Sequence, residues 1–167
     1  MFIENEPKIG EREGCTVVGV ERYTSDGIGT IRKAWDELYA RMNEIEHATK
    51  VLYGYEDFSR DLVMPPGEFP KYYYLASVQV SSLGKVPEGM RSRDIPAATF
   101  ATFTHRGPID GLRESFTYIY GEWMPKSGYK VDPNVAGDYE RYPEGVDDIQ
   151  NVIVEICVPI VKRQPKP

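Results

Sequence analysis

The sequence predicts an α+β fold in which two similar strand-helix-strand-strand modules form an antiparallel sheet, with two main helices on one face and a ligand cleft between the modules. Three observations carry this: an internal repeat, one amphipathic helix per half, and runs of β-branched and aromatic residues around each helix. The repeat sets Ile31-Arg32-Lys33-Ala34-Trp35-Asp36-Glu37-Leu38-Tyr39 against Leu112-Arg113-Glu114-Ser115-Phe116-Thr117-Tyr118-Ile119-Tyr120 at an offset of 81 residues. An arginine, an aromatic and a tyrosine coincide in it, and self-similarity of this kind marks a duplicated structural unit.

In the first half, Thr16 to Glu21 is an alternating apolar run that ends in a turn at Asp26-Gly27-Ile28. Ile31, Trp35, Leu38, Met42 and Ile45 then recur at helical spacing, with Arg32, Asp36, Glu37 and Arg41 mostly off that face. Trp35, which matches Phe116, is read as core. A Tyr55-Glu56 pair follows, then a strand from Tyr73 to Val80. Pro65-Pro66-Gly67 reads as a turn, and Ser81 to Gly89 as the linker between the halves. The second half repeats the order. Ala98 to Phe103 is strand-like, Gly107-Pro108 turns, and Leu112, Phe116, Ile119 and Trp123 make the helical stripe that Pro125 and Ser127-Gly128 end. Tyr139-Glu140, a turn at Pro143-Glu144-Gly145 and a strand from Val152 to Val158 complete it, and the tail from Lys162 to Pro167 is read as frayed. Residues 1–167 are thus one domain, with repeat 1 about 10–82 and repeat 2 about 90–162. Neither half has much core alone, so the two are expected to pair, with the seam between them as the place for a cavity.

Composition narrows the function. With 26 acidic and 20 basic residues the formal net charge is -6, which repels phosphate backbones, so direct nucleic-acid binding is not expected. Cys15 and Cys157 have no CxxC spacing, which suits a reducing, cytoplasmic compartment. The acidic start lacks the features of a secretory signal, and no apolar run reaches membrane-spanning length. His47 and His105 have no companions at metal-ligand spacing. The glycines of Gly27-Ile28-Gly29 and Gly107 serve turns and form no phosphate-cradling fingerprint. Neither metal nor cofactor is expected. Twelve tyrosines, by contrast, supply many flat apolar faces with polar tips, which suit a site for an organic ligand.

The strings Val86-Pro87-Glu88-Gly89-Met90, Ile95-Pro96-Ala97, Phe103-Thr104-His105-Arg106-Gly107-Pro108, Tyr118-Ile119-Tyr120-Gly121-Glu122-Trp123-Met124-Pro125-Lys126-Ser127-Gly128-Tyr129 and Tyr139-Glu140-Arg141-Tyr142 resemble the GyrI-like small-molecule-binding superfamily. Domains of this family serve as effector-binding parts of MerR-type and AraC-type multidrug-responsive regulators, and also occur free-standing. The resemblance implies two modules about a pseudo-twofold axis with a pocket between them. It also implies that the glutamate of the Tyr-Glu motif, Glu140 here, faces that pocket and pairs with a cationic, aromatic small molecule. Only about a strand's worth of sequence precedes the domain, so a free-standing module is expected rather than a transcription factor.

The candidate ligand-binding residues are Glu140, Tyr139, Tyr142, Trp123, Tyr74, Phe103 and Tyr118. A carboxylate among aromatics is partly desolvated, which raises its pKa, strengthens its hold on a cation and equips it for acid-base work. Glu155, in an apolar strand, is a second carboxylate that either faces the cavity or pairs with a buried base. A binding module is the first reading. The resemblance also implies an alternative, a hydrolase of cyclopropane-bearing compounds in which Glu140 or Glu155 activates water beside a tyrosine. A third is a protein-interaction role as in gyrase inhibition, supported only by the acidic charge.

Overall fold

The computed structural model describes residues 1–165. The chain runs β1 (Ile3–Arg12), β2 (Cys15–Tyr23), α1 (Ile28–Arg41), β3 (Ala48–Asp57), β4 (Tyr73–Val80), β5 (Arg91–Ile95), β6 (Ala98–Gly107), α2 (Leu112–Tyr118), β7 (Tyr129–Val131), β8 (Tyr139–Tyr142) and β9 (Val152–Lys162). From α2 the helix continues through a π-helical stretch, Ile119–Trp123, into a last turn, Met124–Lys126.

All strand pairs are antiparallel, in the order β1-β6-β9-β8-β3-β4-β2-β5, with β7 beside β9. That order is a palindrome about the β8/β3 pair. β3 mirrors β8, β4 mirrors β9, β2 mirrors β6, and the leading strand of each half, β1 or β5, pairs with the other half. The duplicated sequence thus folds as two strand-helix-strand-strand modules about a pseudo-twofold axis. Tyr55 sits directly opposite Tyr139, its counterpart in the repeat, so the axis passes between them.

Three strands lie outside the expected pattern. β1, mostly exposed, and β5, half-buried with only Ile95 fully so, are edge strands of polar sequence, Ile-Glu-Asn-Glu-Pro-Lys-Ile-Gly-Glu-Arg and Arg-Ser-Arg-Asp-Ile, and the three-residue β7 is too short to show a period. None has the apolar alternation that marks a strand with one buried face. The end of β9 is also more ordered than expected: Arg163 bonds the carbonyls of Tyr129 and Met124. Lys166 and Pro167, the last of that tail, lie outside the described residues.

The alternation of side chains along each strand separates two cores. On the helix side, Ala34 and Leu38 of α1 and Leu112, Ile119 and Met124 of the second helix cover Val18, Val20, Ala76, Val78, Phe103, Val154, Ile156 and Val158. On the other side Val17, Tyr53, Tyr55, Leu75, Ile95, Phe100, Tyr139 and Cys157 pack together without a helix. The sheet supplies that second core with a cover by curling. Only Glu13 and Gly14 join β1, at one end of the sheet, to β2, next to the other end, and two residues cannot span an open sheet. At this crossing a Cβ on Gly14 would stand 2.5 Å from the Ile95 carbonyl oxygen, so only glycine lets the connections pass. Among the described residues no helix is long and apolar enough to cross a membrane.

Candidate functional site

At the seam the register decides which side chains meet. Gly54 of β3 lies between Glu140 of β8 and Ala76 of β4. A Cβ at Gly54 would stand 2.1 Å from the Tyr74 hydroxyl and 2.7 Å from Glu140 Oε2. The missing side chain is therefore the room in which tyrosine and glutamate meet. Tyr74 donates to Glu140 Oε2 at 3.1 Å, and Tyr142 reaches the same oxygen at 3.5 Å. Trp35 of α1 donates from Nε1 to the Tyr74 hydroxyl at 2.9 Å and presents its ring edge-on to Tyr142, at 5.7 Å between centroids. Trp35, expected in the core, is thus part of this cluster, tied to it by its indole N–H.

Two further carboxyls share the seam. The backbone N–H of Glu56 bonds the carbonyl of Asp138 across the β3/β8 pair, which sets the two residues side by side. Tyr72 donates to Glu56 at 3.3 Å, and Tyr120, from the π-helical stretch, donates to Asp138 Oδ2. Asp138 is fully buried, no hydroxyl or N–H reaches its Oδ1, and its carboxyl is hydrogen-bonded to that of Glu56, which requires a proton between them. Burial pushes Glu140 up to about 8, against the hydrogen bond from Tyr74 and helped by the neighbouring Asp138 charge. Burial, then the Asp138 charge, raises Glu56 well above the usual carboxylate range, and burial raises Asp138 as well. Three carboxyls in one apolar space cannot all ionise without a counter-charge. Among the described residues no group of histidine, cysteine and acidic side chains is arranged to hold a metal ion.

Aromatic rings cover the carboxyls. Trp35 and Tyr39 of α1 lie 6.1 Å apart, and their repeat counterparts Phe116 and Tyr120 stack at 6.5 Å. Phe58 and Phe69 pack on Tyr72. Tyr39 and Tyr120 are 48% and 36% exposed, whereas Glu140 is only 7% exposed, so the rim faces solvent and the glutamate lies sealed beneath it.

Of the residues singled out from sequence, Glu140, Tyr74 and Tyr142 come together here. The others do not. Tyr139 points to the opposite face, against Tyr53, Tyr55 and Phe100, because neighbours along a strand alternate. Glu155 lies on that face too, held between Arg12 and Arg141, so it is a paired structural carboxylate away from the seam. Phe103 shares the cross-strand row of Glu140 but stands two strands away, about 10 Å. Trp123 packs edge-on to Phe103 and stacks on Tyr129. With Tyr118, Glu6, Glu122, Lys126 and Ser127 it lines a separate surface depression of about 530 Å³. Sequence reading missed Glu56, Asp138, Tyr72, Tyr39, Phe116 and Tyr120 as site residues, although the repeat contained a signal for Glu56, in the matched pairs Tyr55-Glu56 and Tyr139-Glu140.

Residues 5–161 match the family described as the GyrI-like small molecule binding domain. The transcriptional regulator BrlR of Pseudomonas aeruginosa is 34% identical over 139 residues, 82% of this chain and 48% of the regulator. The chain therefore spans about half the length of that curated relative. Among solved structures, SAV2435 bound to tetraphenylphosphonium superposes with a TM-score of 0.71 at 14% identity, covering 94% of each chain. The C-terminal domain of EcmrR gives 0.70 at 19% identity, covering 98% of this chain and all of that one. At these identities the structural likeness is one of fold.

Proposed function

This chain belongs to the GyrI-like small molecule binding domain family, and from that premise we propose that it binds an amphipathic organic cation against Glu140 at the seam of its two modules, to sense or sequester it. The observation that carries the reading is a carboxyl cluster, Glu140 and Asp138 buried and Glu56 partly so, lying beneath a rim of aromatic rings. Without a ligand, Glu140 holds its proton to about pH 8 because nothing nearby neutralises its charge. A cation supplies that neutralisation, so it replaces the proton, and the ring faces of Trp35 and Tyr39 add cation-π attraction of about 0.5–2 kcal/mol each. Entry requires the half-exposed rim to part, as Tyr74 and Tyr142 are sealed in the closed arrangement. SAV2435, which shares this fold and was solved bound to tetraphenylphosphonium, supports this ligand class.

The pairing of Glu140 with the Tyr74 hydroxyl at 3.1 Å favours a second reading, a hydrolase. A carboxyl titrating near neutrality beside a phenol is the equipment of general acid-base chemistry on a strained-ring electrophile. One screen separates the two: thermal stabilisation by lipophilic cations and cyclopropane-bearing electrophiles, followed by mass spectrometry of each compound. Stabilisation with compounds recovered intact supports binding. Compounds recovered with water added establish turnover, and no stabilisation by any cation refutes the first reading.

A further inference from the structure

The seam holds more acid than one positive charge requires. Gly54 faces Glu140, and Glu56 stands two residues further along the same strand, so Glu56 and Glu140 are diagonal neighbours across the β3/β8 pair. Such neighbours lie about 7–8 Å apart. The pseudo-twofold axis exchanges them, since Tyr55-Glu56 and Tyr139-Glu140 are equivalent pairs facing each other. Each also has its own aromatic partners. Tyr74, Tyr142 and Trp35 attend Glu140, whereas Tyr72 bonds Glu56 and Tyr120 bonds Asp138.

The independent observation is Asp138 Oδ1. Its partner oxygen is held by Tyr120, its residue is 1% exposed, no hydroxyl or N–H donates to it, and the other side chain hydrogen-bonded to Asp138 is the Glu56 carboxyl, which can donate only while it keeps a proton. Buried carboxylate oxygens almost always find a donor or a cation. A single cation seated at Glu140 leaves Glu56 and Asp138 to share a proton in place of a counter-charge, because they stand on the other side of the pair.

Building on the cation-binding reading above, we propose that the seam has two anionic stations, Glu140 and the Glu56/Asp138 pair, and is made for an aromatic ligand with two positive centres. A flat dication laid along the diagonal sets one centre on each station while its rings lie beneath Trp35, Tyr39, Phe116 and Tyr120. Three carboxyls then answer two cationic charges and whatever proton Glu56 and Asp138 keep between them.

Calorimetry with a matched pair of probes tests this: the dication N,N'-dimethyl-4,4'-bipyridinium and the monocation N-methyl-4-(4-methylphenyl)pyridinium, which has the same shape and one charge. The dication is expected to bind at least about tenfold more tightly, a difference of ~1.4 kcal/mol. Glu56→Gln should erase that advantage, bringing the dication's affinity down to that of the monocation, with an unchanged circular dichroism spectrum and cooperative urea unfolding to report that the variant is folded. Equal affinities in the parent protein, or an equal loss of both probes in E56Q, overturn the second station and leave the Glu140 reading standing. Binding of neither probe overturns both.

Discussion

Replacing Glu140 by glutamine should shift the stability of the ligand-free protein progressively in favour of the variant as pH rises. In the folded chain burial raises the glutamate from 4.5 to about 8. Below pH 4.5 the side chain is protonated in folded and unfolded chains alike, and it contributes no pH dependence. Between 4.5 and 8 the folded state keeps a proton that the unfolded chain has released, so stability falls as pH rises, by up to about 1.4 kcal/mol per unit. Across the whole interval the loss is on the order of 5 kcal/mol for an isolated group. Titration of Asp138 alongside reduces the share that belongs to Glu140. Glutamine keeps an oxygen to accept from Tyr74, and its buried amide adds a fixed penalty of about 1–3 kcal/mol where its hydrogens find no acceptor. The test is therefore the slope and not the absolute value. Urea unfolding of parent and E140Q at several pH values between 4 and 9 should show the difference shifting in favour of glutamine up to about pH 8, then levelling. For a domain of this size each ~1 kcal/mol also moves the melting temperature by about 2–4 °C. A difference constant across the range would refute the argument that Glu140 is buried without a counter-charge.

Gly54→Ala should abolish cation binding, because its Cβ would occupy the place where the Tyr74 hydroxyl meets Glu140, and calorimetry with a lipophilic cation reads the loss directly. Tyr74→Phe removes a donor from the carboxylate and the acceptor of the Trp35 N–H, so it should move the pH midpoint of that stability profile above 8 and destabilise by about 1–3 kcal/mol. Between β6 and α2, His105 Nε2 donates to the Pro108 carbonyl, which leaves Nδ1 to accept from the Ser115 hydroxyl at 2.7 Å. Ser115→Ala should therefore cost about 1–3 kcal/mol in denaturant unfolding, by stripping a buried acceptor of its donor. Leu38→Ala, under α1, empties a fully buried site and should cost about 2–5 kcal/mol by the same assay.

The duplicated helix segments and their flanking strands were legible because both modules bury a face, and burial imposes a period. The polar edge strands β1 and β5 bury only isolated apolar side chains, such as Ile95, and so left no period to read. At the site, Glu140 and Tyr142 were legible as a motif, and Tyr139 was misplaced for want of the strand alternation that separates it from Glu140. Glu155 belongs with Cys157 on the helix-free face, and alternation alone cannot say which face of a strand is which. Asp138 is joined to the seam only by register, through a backbone bond to Glu56 and a side-chain bond from Tyr120, neither of which has a sequence signature. The two Tyr-Glu pairs did contain the second glutamate. What they lacked was the antiparallel pairing of β3 with β8, which turns both glutamates towards the helices.

The most direct measurement is calorimetric titration of tetraphenylphosphonium into the parent protein and E140Q at pH 7.5, near the point where Glu140 is half ionised. Removing one partner of a buried charge pair typically costs about 2–5 kcal/mol, so the parent protein should bind and E140Q should lose about thirtyfold or more in affinity. Proton release by the parent protein, read as a heat that varies with the ionisation enthalpy of the buffer, should vanish in the variant. Equal affinity in the two proteins, with no buffer dependence in either, would contradict the placing of the cation on Glu140.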